Sequence, residues 1–162
     1  WLSYTYARSL LQTPGIHSSE QINAGEYYPS NFDKPHSAVL ISNYKINRRV
    51  NIAVNVNYST GRPATFPVVK YQFKDQPFLH YTERNQYRIP DYFRVDLAVN
   101  FEGNHRVHKK IHGSWSFSVY NLTSNPNPYS VFFTNEDGEI KGYKLSVFKN
   151  AIPTITYHFQ LQ

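Results

Sequence analysis

Residues 113–121 read G-S-W-S-F-S-V-Y-N, with Trp115, Phe117 and Val119 alternating against Ser114, Ser116 and Ser118. Successive side chains of a strand point to opposite faces, so this stretch is a strand with one aromatic face and one hydroxyl face. The same alternation recurs at Pro153 to Gln162, where Ile155, Tyr157, Phe159 and Leu161 oppose Thr154, Thr156, His158 and Gln160. It recurs again at Tyr92 to Phe101, where Phe93, Val95, Leu97, Val99 and Phe101 oppose Arg94, Asp96, Ala98 and Asn100. A soluble sheet with one wet face shares the alternation. Its repetition with aromatics near both ends of each run is how transmembrane β-barrel strands read.

Composition narrows the choice. Tyr (14) and Phe (11) are abundant, and aromatic and β-branched residues favour strands. With no cysteine in 162 residues there is no disulfide framework and no thiolate metal site. With no methionine, Trp1 is not a natural start, and the chain is expected to be a fragment or a processed piece. No charged segment followed by an apolar one marks a signal peptide. No apolar run is long enough for a transmembrane helix, which barrel strands do not need. The formal charge of +6 is scattered over turns and loops, not gathered on a helix or stripe, so no nucleic-acid partner is expected.

In chain order, strands are expected over 1–7, 36–46, 50–59, 92–101, 113–121 and 153–162. Long loops are expected over 8–35, 60–90 and 122–142, and short turns at 47–49 and 102–112. Part of the third loop, 131–134 with 143–148, forms an expected hairpin turned at 136–138. Asn51, Asn55 and Asn57 share one face of the third strand. That is costly in a dry core and natural on a wet or plug-facing lumen. Long and short connections alternate, as in bacterial outer-membrane barrels with long outer loops and short periplasmic turns. Six strands are too few to close such a barrel, so both edges need further strands. The expected fold class is therefore all-β: an antiparallel transmembrane barrel segment of about six strands.

Six stretches then show a family pattern: Y-Y-P-S-N-F-D-K-P-H (27–36), Y-S-T-G-R-P-A-T-F-P (58–67), R-I-P-D-Y-F-R-V-D-L (88–97), G-S-W-S-F-S-V-Y-N-L (113–122), N-P-N-P-Y (125–129) and F-K-N-A-I-P-T-I-T-Y-H-F (148–159). In this order they resemble the C-terminal barrel segment of a TonB-dependent outer-membrane receptor of Gram-negative bacteria, of the plug-containing, carboxypeptidase-regulatory-like type. The resemblance implies a barrel of about 22 strands with a plugged lumen, of which residues 1–162 supply the last six. It implies a non-enzymatic importer, without a cofactor, that takes up a scarce solute such as an iron chelate, cobalamin or a glycan on energy from TonB. The implied partners are the N-terminal barrel strands and plug of the same receptor, TonB reached through that plug, the barrel-assembly machinery, a surface lipoprotein, and lipid with lipopolysaccharide. Ile155, Tyr157, Phe159 and Leu161 would form the C-terminal assembly signal. Family members end on an aromatic residue, whereas this chain ends Phe159-Gln160-Leu161-Gln162. Either Gln162 is an addition or the signal is carried further in.

Among chemistry-bearing residues, Arg94 and Asp96 are expected on the lumen side as a wall ion pair or plug contact, with Ser114, Ser116 and Ser118 beside them. Tyr58, Tyr92 and Tyr120 are expected in the outer lipid-facing girdle, with Phe101, Trp115 and Phe159 in the inner one and Phe117 facing lipid between them. His105, His108 and His112 have metal-like spacing, but cationic neighbours disfavour a metal and no metal site is expected. Asp33, His36 and Ser37 lie close in sequence without a nucleophile elbow or a third catalytic member, and no catalysis is expected. Gly61-Arg62-Pro63 has neither the glycines nor the following helix of a phosphate loop. Two other readings stand beside the importer: a barrel fragment held as a folding client of the assembly machinery, and a soluble β-sandwich binding module.

Overall fold

Alternating β-branched, aromatic and polar residues draw six segments into one antiparallel sheet. The computed structural model describes residues 1–73, 76–103, 111–136 and 139–161; the side chains at 70, 72, 73, 76, 77, 111, 135 and 161 lie outside that description. The strands are β1 (Leu2–Tyr6), β2 (Leu10–Leu11), β3 (Tyr28–Pro29), β4 (His36–Lys45), β5 (Val50–Ser59), β6 (Pro63–Ala64), β7 (Pro67–Phe73), β8 (Gln76–Tyr81), β9 (Tyr87–Arg88), β10 (Tyr92–Glu102), β11 (Ile111–Tyr120), β12 (Ser130–Glu136), β13 (Glu139–Leu145) and β14 (Ile152–Leu161). Two single 3-10 turns, Ser18–Glu20 and Asn23–Gly25, lie in the first loop.

The sheet has the order β1-β4-β5-β10-β11-β14, a meander in which each strand pairs with the one before it in the sheet. Its six strands are the six expected from alternation, displaced by at most two residues at any end. The sheet is open. β1 and β14 each pair along one side, with no closure among the described residues.

Register carries the alternation across the sheet. Leu97 pairs with Val54 on one side and Val119 on the other, and Phe101 pairs with Val50 and Trp115. Trp115 and Phe117 continue onto Tyr157 and Ile155. One face is therefore apolar and aromatic from β1 to β14. On the other face Asp96 pairs with Asn55, Asn100 with Asn51 and Ser116, and Ser116 with Thr156. A one-residue slip would exchange these faces, so the pattern sets the register.

No second layer covers either face among the described residues. Among the described residues the buried aliphatic and aromatic side chains are Tyr28 and Ile89, with Pro35 and Pro63 also buried, all outside the six-stranded sheet. On the apolar face Leu2 is 69% exposed, Trp115 48%, Ile155 65% and Phe159 63%. A contiguous apolar surface of this extent marks an interaction surface rather than a water-facing one.

All three long connections leave the same end of the sheet. Tyr6 pairs with His36 there, Ser59 with Tyr92, and Tyr120 with Ile152. The tight turn after β4 lies at the opposite end, where Asn47 Oδ1 accepts the backbone N–H groups of Arg49 (2.8 Å) and Val50 (2.9 Å). The loops carry structure of their own. β7 pairs with β8 and β12 with β13, as two hairpins, with short bridges β2–β3 and β6–β9. The β7–β8 hairpin falls in a stretch expected to be plain loop. The expected third-loop hairpin is present, but its second arm begins at Glu139 and not at Tyr143.

Candidate functional site

The two faces of the sheet sort the expected site residues. Tyr58, Phe101, Trp115, Phe117, Tyr157 and Phe159 share the apolar face by register. At its turn end Trp115 lies 4.7 Å from Tyr157, ring to ring, and Phe101 meets Phe117 edge-on at 5.8 Å. Tyr157 is also laid over Gly113, where an added Cβ would sit 2.2 Å from the phenol oxygen. A side chain there would evict the ring. At the loop end Tyr4 and Tyr6 pack on His36, with centroids 6.1 and 5.2 Å apart, and the Tyr58 hydroxyl donates to Asp91 Oδ2 at 2.6 Å. From Phe93 to Phe101, β10 spans about 26 Å along its axis, or about 20 Å along the normal at a tilt of about 40°. Aromatic side chains thus band an apolar strip at both ends.

Tyr92 and Tyr120 do not belong to that band. Each sits one residue beyond a member of the apolar face, Phe93 or Val119, and parity turns it to the polar face. There both hydroxyls accept hydrogen bonds from Arg94 Nη1 at 2.8 Å. The Arg94 guanidinium also lies 4.4 Å from the Tyr120 ring centroid. The expected place in the outer girdle does not hold for these two tyrosines, because the pleat of β10 and β11 turns both to the polar face.

Arg94 and Asp96 are brought together as expected, with Arg94 Nε and Nη2 each donating to Asp96 Oδ2 at 3.0 Å. Asp96 Oδ1 accepts the backbone N–H of Asn121 at 3.0 Å. Asn121 is fully buried in a left-handed conformation (φ 53°), and its amide donates to the carbonyls of Asn125, Phe148 and Lys149. The ion pair therefore pins the exit of β11 and the approach to β14. Ser114, Ser116 and Ser118 line the same face, half-buried. Asn51 Oδ1, Asn55 Oδ1 and Asn57 Nδ2 on β5 are enclosed without a hydrogen-bond partner among the described residues.

The loop layer is clasped by Asp33, whose side chain has no exposed surface. Its Oδ1 accepts the Ser9 N–H at 2.7 Å and Arg8 Nε at 3.3 Å; its Oδ2 accepts Arg88 Nη2. Arg88 Nη1 also donates to the carbonyls of Asp33 and Gly61, at 2.8 and 2.9 Å. Burial opposes the charge on Asp33, but the Ser9 N–H and the two guanidiniums outweigh it and hold the carboxyl below its ordinary range. Asp91 is likewise held low, by the Tyr58 hydroxyl and the Gly61 N–H. Gly61 is obligatory at this junction, since a Cβ would fall 1.8 Å from the Ile89 carbonyl oxygen. Asn85 ties the first loop to the second through Pro29 O and Asn31 Oδ1, both at 2.8 Å. Phe66 against Phe133, 5.0 Å apart, ties the second loop to the third.

His36 does not face Asp33; its Nδ1 meets the Tyr4 hydroxyl at 2.8 Å. His112 lies on the polar face opposite Gln160. His105 and His108 lie outside the described residues, and the described ones contain no cluster of three metal-ligating side chains. Ile155, Tyr157 and Phe159 share the apolar side of β14; Leu161 lies in the strand with its side chain outside the description.

Where the loop layer meets the polar face of the sheet, a cleft of about 420 Å³ opens. Phe32, Lys34, Arg62, Tyr129 and Phe148 bring loop side chains to it, and Tyr92 and Tyr120 come from strand ends. Sequence reasoning did not gather these residues. They come from three long connections and two strand ends with no shared spacing, and the nearest signal was the aromatic and proline content of 27–35 and 125–129.

No family model, curated protein or solved structure matches this chain.

Proposed function

We propose that this chain forms the last six strands of a TonB-dependent outer-membrane receptor, an importer of a scarce solute. One observation carries the reading: an open antiparallel meander with an exposed, aromatic-banded apolar face, a polar face behind it, and every long connection at one end. In hydrocarbon each unpaired backbone group costs several kcal/mol, so the free edges of β1 and β14 call for neighbouring strands, and the apolar face for lipid and lipopolysaccharide. The orphaned asparagine atoms of β5 and the Arg94–Asp96 pair suit a wet lumen wall beside a plug. On this reading the plug carries the contact with TonB, the loop layer meets solute and a surface lipoprotein, and β14 carries the assembly signal. The substrate class stays open among iron chelates, cobalamin and glycans. The folding-client reading uses the same two edges, with the assembly machinery on β14. The soluble β-sandwich reading needs a second sheet over Trp115, Phe117 and Ile155, and the described chain supplies none.

Topology tests the proposal. Single cysteines replace Val68 in the second loop and Arg48 in the tight turn, both exposed, within the full protein in Gram-negative cells. A membrane-impermeant maleimide is expected to label Val68→Cys on intact cells and Arg48→Cys after the outer membrane is opened. Labelling of Arg48→Cys alone on intact cells would reject the orientation. Full labelling of both in the soluble fraction would reject the barrel.

A further inference from the structure

The cleft between the loop layer and the polar face has a lining that selects a ligand class. Tyr92 and Tyr120 form its floor, and Phe32 (81% exposed) and Tyr129 (63%) stand at its mouth. Exposed rings around a concave site are a recurring form of ligand pocket, and about 420 Å³ falls in the usual range. Its charge is one-sided. Lys34 and Arg62 line it, and no Asp or Glu does. Neither cation pairs with a carboxylate among the described residues. Arg62 does donate to the Tyr129 carbonyl and lies 4.8 Å from that ring's centroid, which fixes the guanidinium in place without neutralising it. Of the other charged groups nearby, Arg94 pairs with Asp96 and Asp33 with Arg8 and Arg88. The Asp91 carboxylate, outside the lining, accepts from the Tyr58 hydroxyl and the Gly61 N–H, which leaves two lining cations against one neighbouring carboxylate.

We infer that this cleft binds a planar aromatic carboxylate, with the ring against the aromatic walls and the carboxylate on Lys34 and Arg62. A cation would meet an excess of positive charge, the two lining cations against the single Asp91 carboxylate beside them. A neutral sugar needs carboxylate or amide oxygens to accept its hydroxyl protons, and the lining amide oxygen, Asn127 Oδ1, already accepts from Phe93 N–H and Asn125 Nδ2. A purely aliphatic ligand would leave both cations desolvated and unpaired. An aromatic anion satisfies both halves of the lining, through stacking and charge-assisted hydrogen bonds. The site rests on the loops and strand ends and not on the membrane reading, so failed ligand binding leaves the topology test standing, and the reverse.

Calorimetric titration of the full protein in detergent micelles, with 2-naphthoate, 2-naphthamide and maltose, tests the inference. Naphthoate is expected to bind about tenfold more tightly than its neutral amide, the factor that one charge-assisted hydrogen bond supplies. Lys34→Gln is expected to erase that preference. Phe32→Ala is expected to weaken naphthoate and naphthamide alike. Both side chains are exposed, so neither change threatens the fold, which the unaltered thermal unfolding of each variant will verify. Equal affinity for naphthoate and naphthamide, tighter binding of maltose, no binding of any of the three, or indifference to both substitutions would overturn it.

Discussion

Asp33 carries a charge with no exposed side-chain surface, a placement that costs several kcal/mol unless the charge is matched. Ser9, Arg8 and Arg88 match it, two from the start of the first loop and one from the end of the second. Because its carboxyl is held below the ordinary value, the folded loop layer binds the proton less readily than the unfolded one. Its contribution is therefore complete above the unfolded pKa, about 3.9, and is lost as pH falls through the lower folded value. Asp33→Asn keeps an acceptor for the Ser9 N–H but removes the charge, at an expected cost of about 1.5 to 3 kcal/mol to loop closure. Amide exchange at Ser9 and Ile89 measures this. The native chain should hold its protection from pH 7 to about 4 and lose it below, whereas the variant should start lower and stay flat. An acid transition of equal size in both would remove Asp33 from the clasp. None of this was legible in the sequence. Asp33 stands beside Pro35, His36 and Ser37, which carry no catalytic pattern, while its partners Ser9, Arg8 and Arg88 lie 24, 25 and 55 residues away.

At the scale of elements, the six sheet strands were legible because a two-residue period has one physical outcome in a strand. Val50 to Ser59 and Tyr92 to Phe101 show it without interruption, and they pair residue for residue over ten positions. The β7–β8 hairpin was missed because Pro67 and Pro77 read as loop punctuation. Pro67 is the first residue of its strand and Pro77 the second of the next, positions where a two-stranded ribbon tolerates a missing N–H. The two faces give a sharp contrast on β10. Leu97 lies midway between the aromatic bands on the apolar face, and Ala98 lies on the polar face between Ala53 and Ser118. On the barrel reading, Leu97→Arg places a cation at the bilayer midplane, at roughly 2 to 4 kcal/mol, whereas Ala98→Arg faces the lumen at much lower cost. The fraction of heat-modifiable folded barrel on a gel reports both. Equal loss in the two variants would mean that the sheet does not divide lipid from lumen.

At the scale of the whole molecule, the sheet has almost nothing that would hold it together alone. A soluble domain of this length buries most of its apolar side chains in one core, yet here Tyr28 and Ile89 are the only buried aliphatic or aromatic side chains among the described residues. What joins the strands is the ladder of backbone hydrogen bonds, and that ladder stops at two open edges. Such edges next to a wide apolar face template pairing with other chains. Residues 1–162 expressed alone are therefore expected to aggregate in water and to insert poorly in detergent. On the barrel reading, co-expression with the N-terminal strands that the reading calls for is expected to yield a folded, heat-modifiable barrel. Size exclusion with amide exchange at β1 and β14 discriminates the outcomes. Exchange at both edges should be fast in the isolated chain and slow in the assembled one. A monodisperse, detergent-free monomer with protected β1 and β14 would defeat the barrel reading and restore the soluble sandwich. Protection of β14 alone, gained on adding the assembly machinery, would favour the folding-client reading, because a single templated edge is what such a client presents.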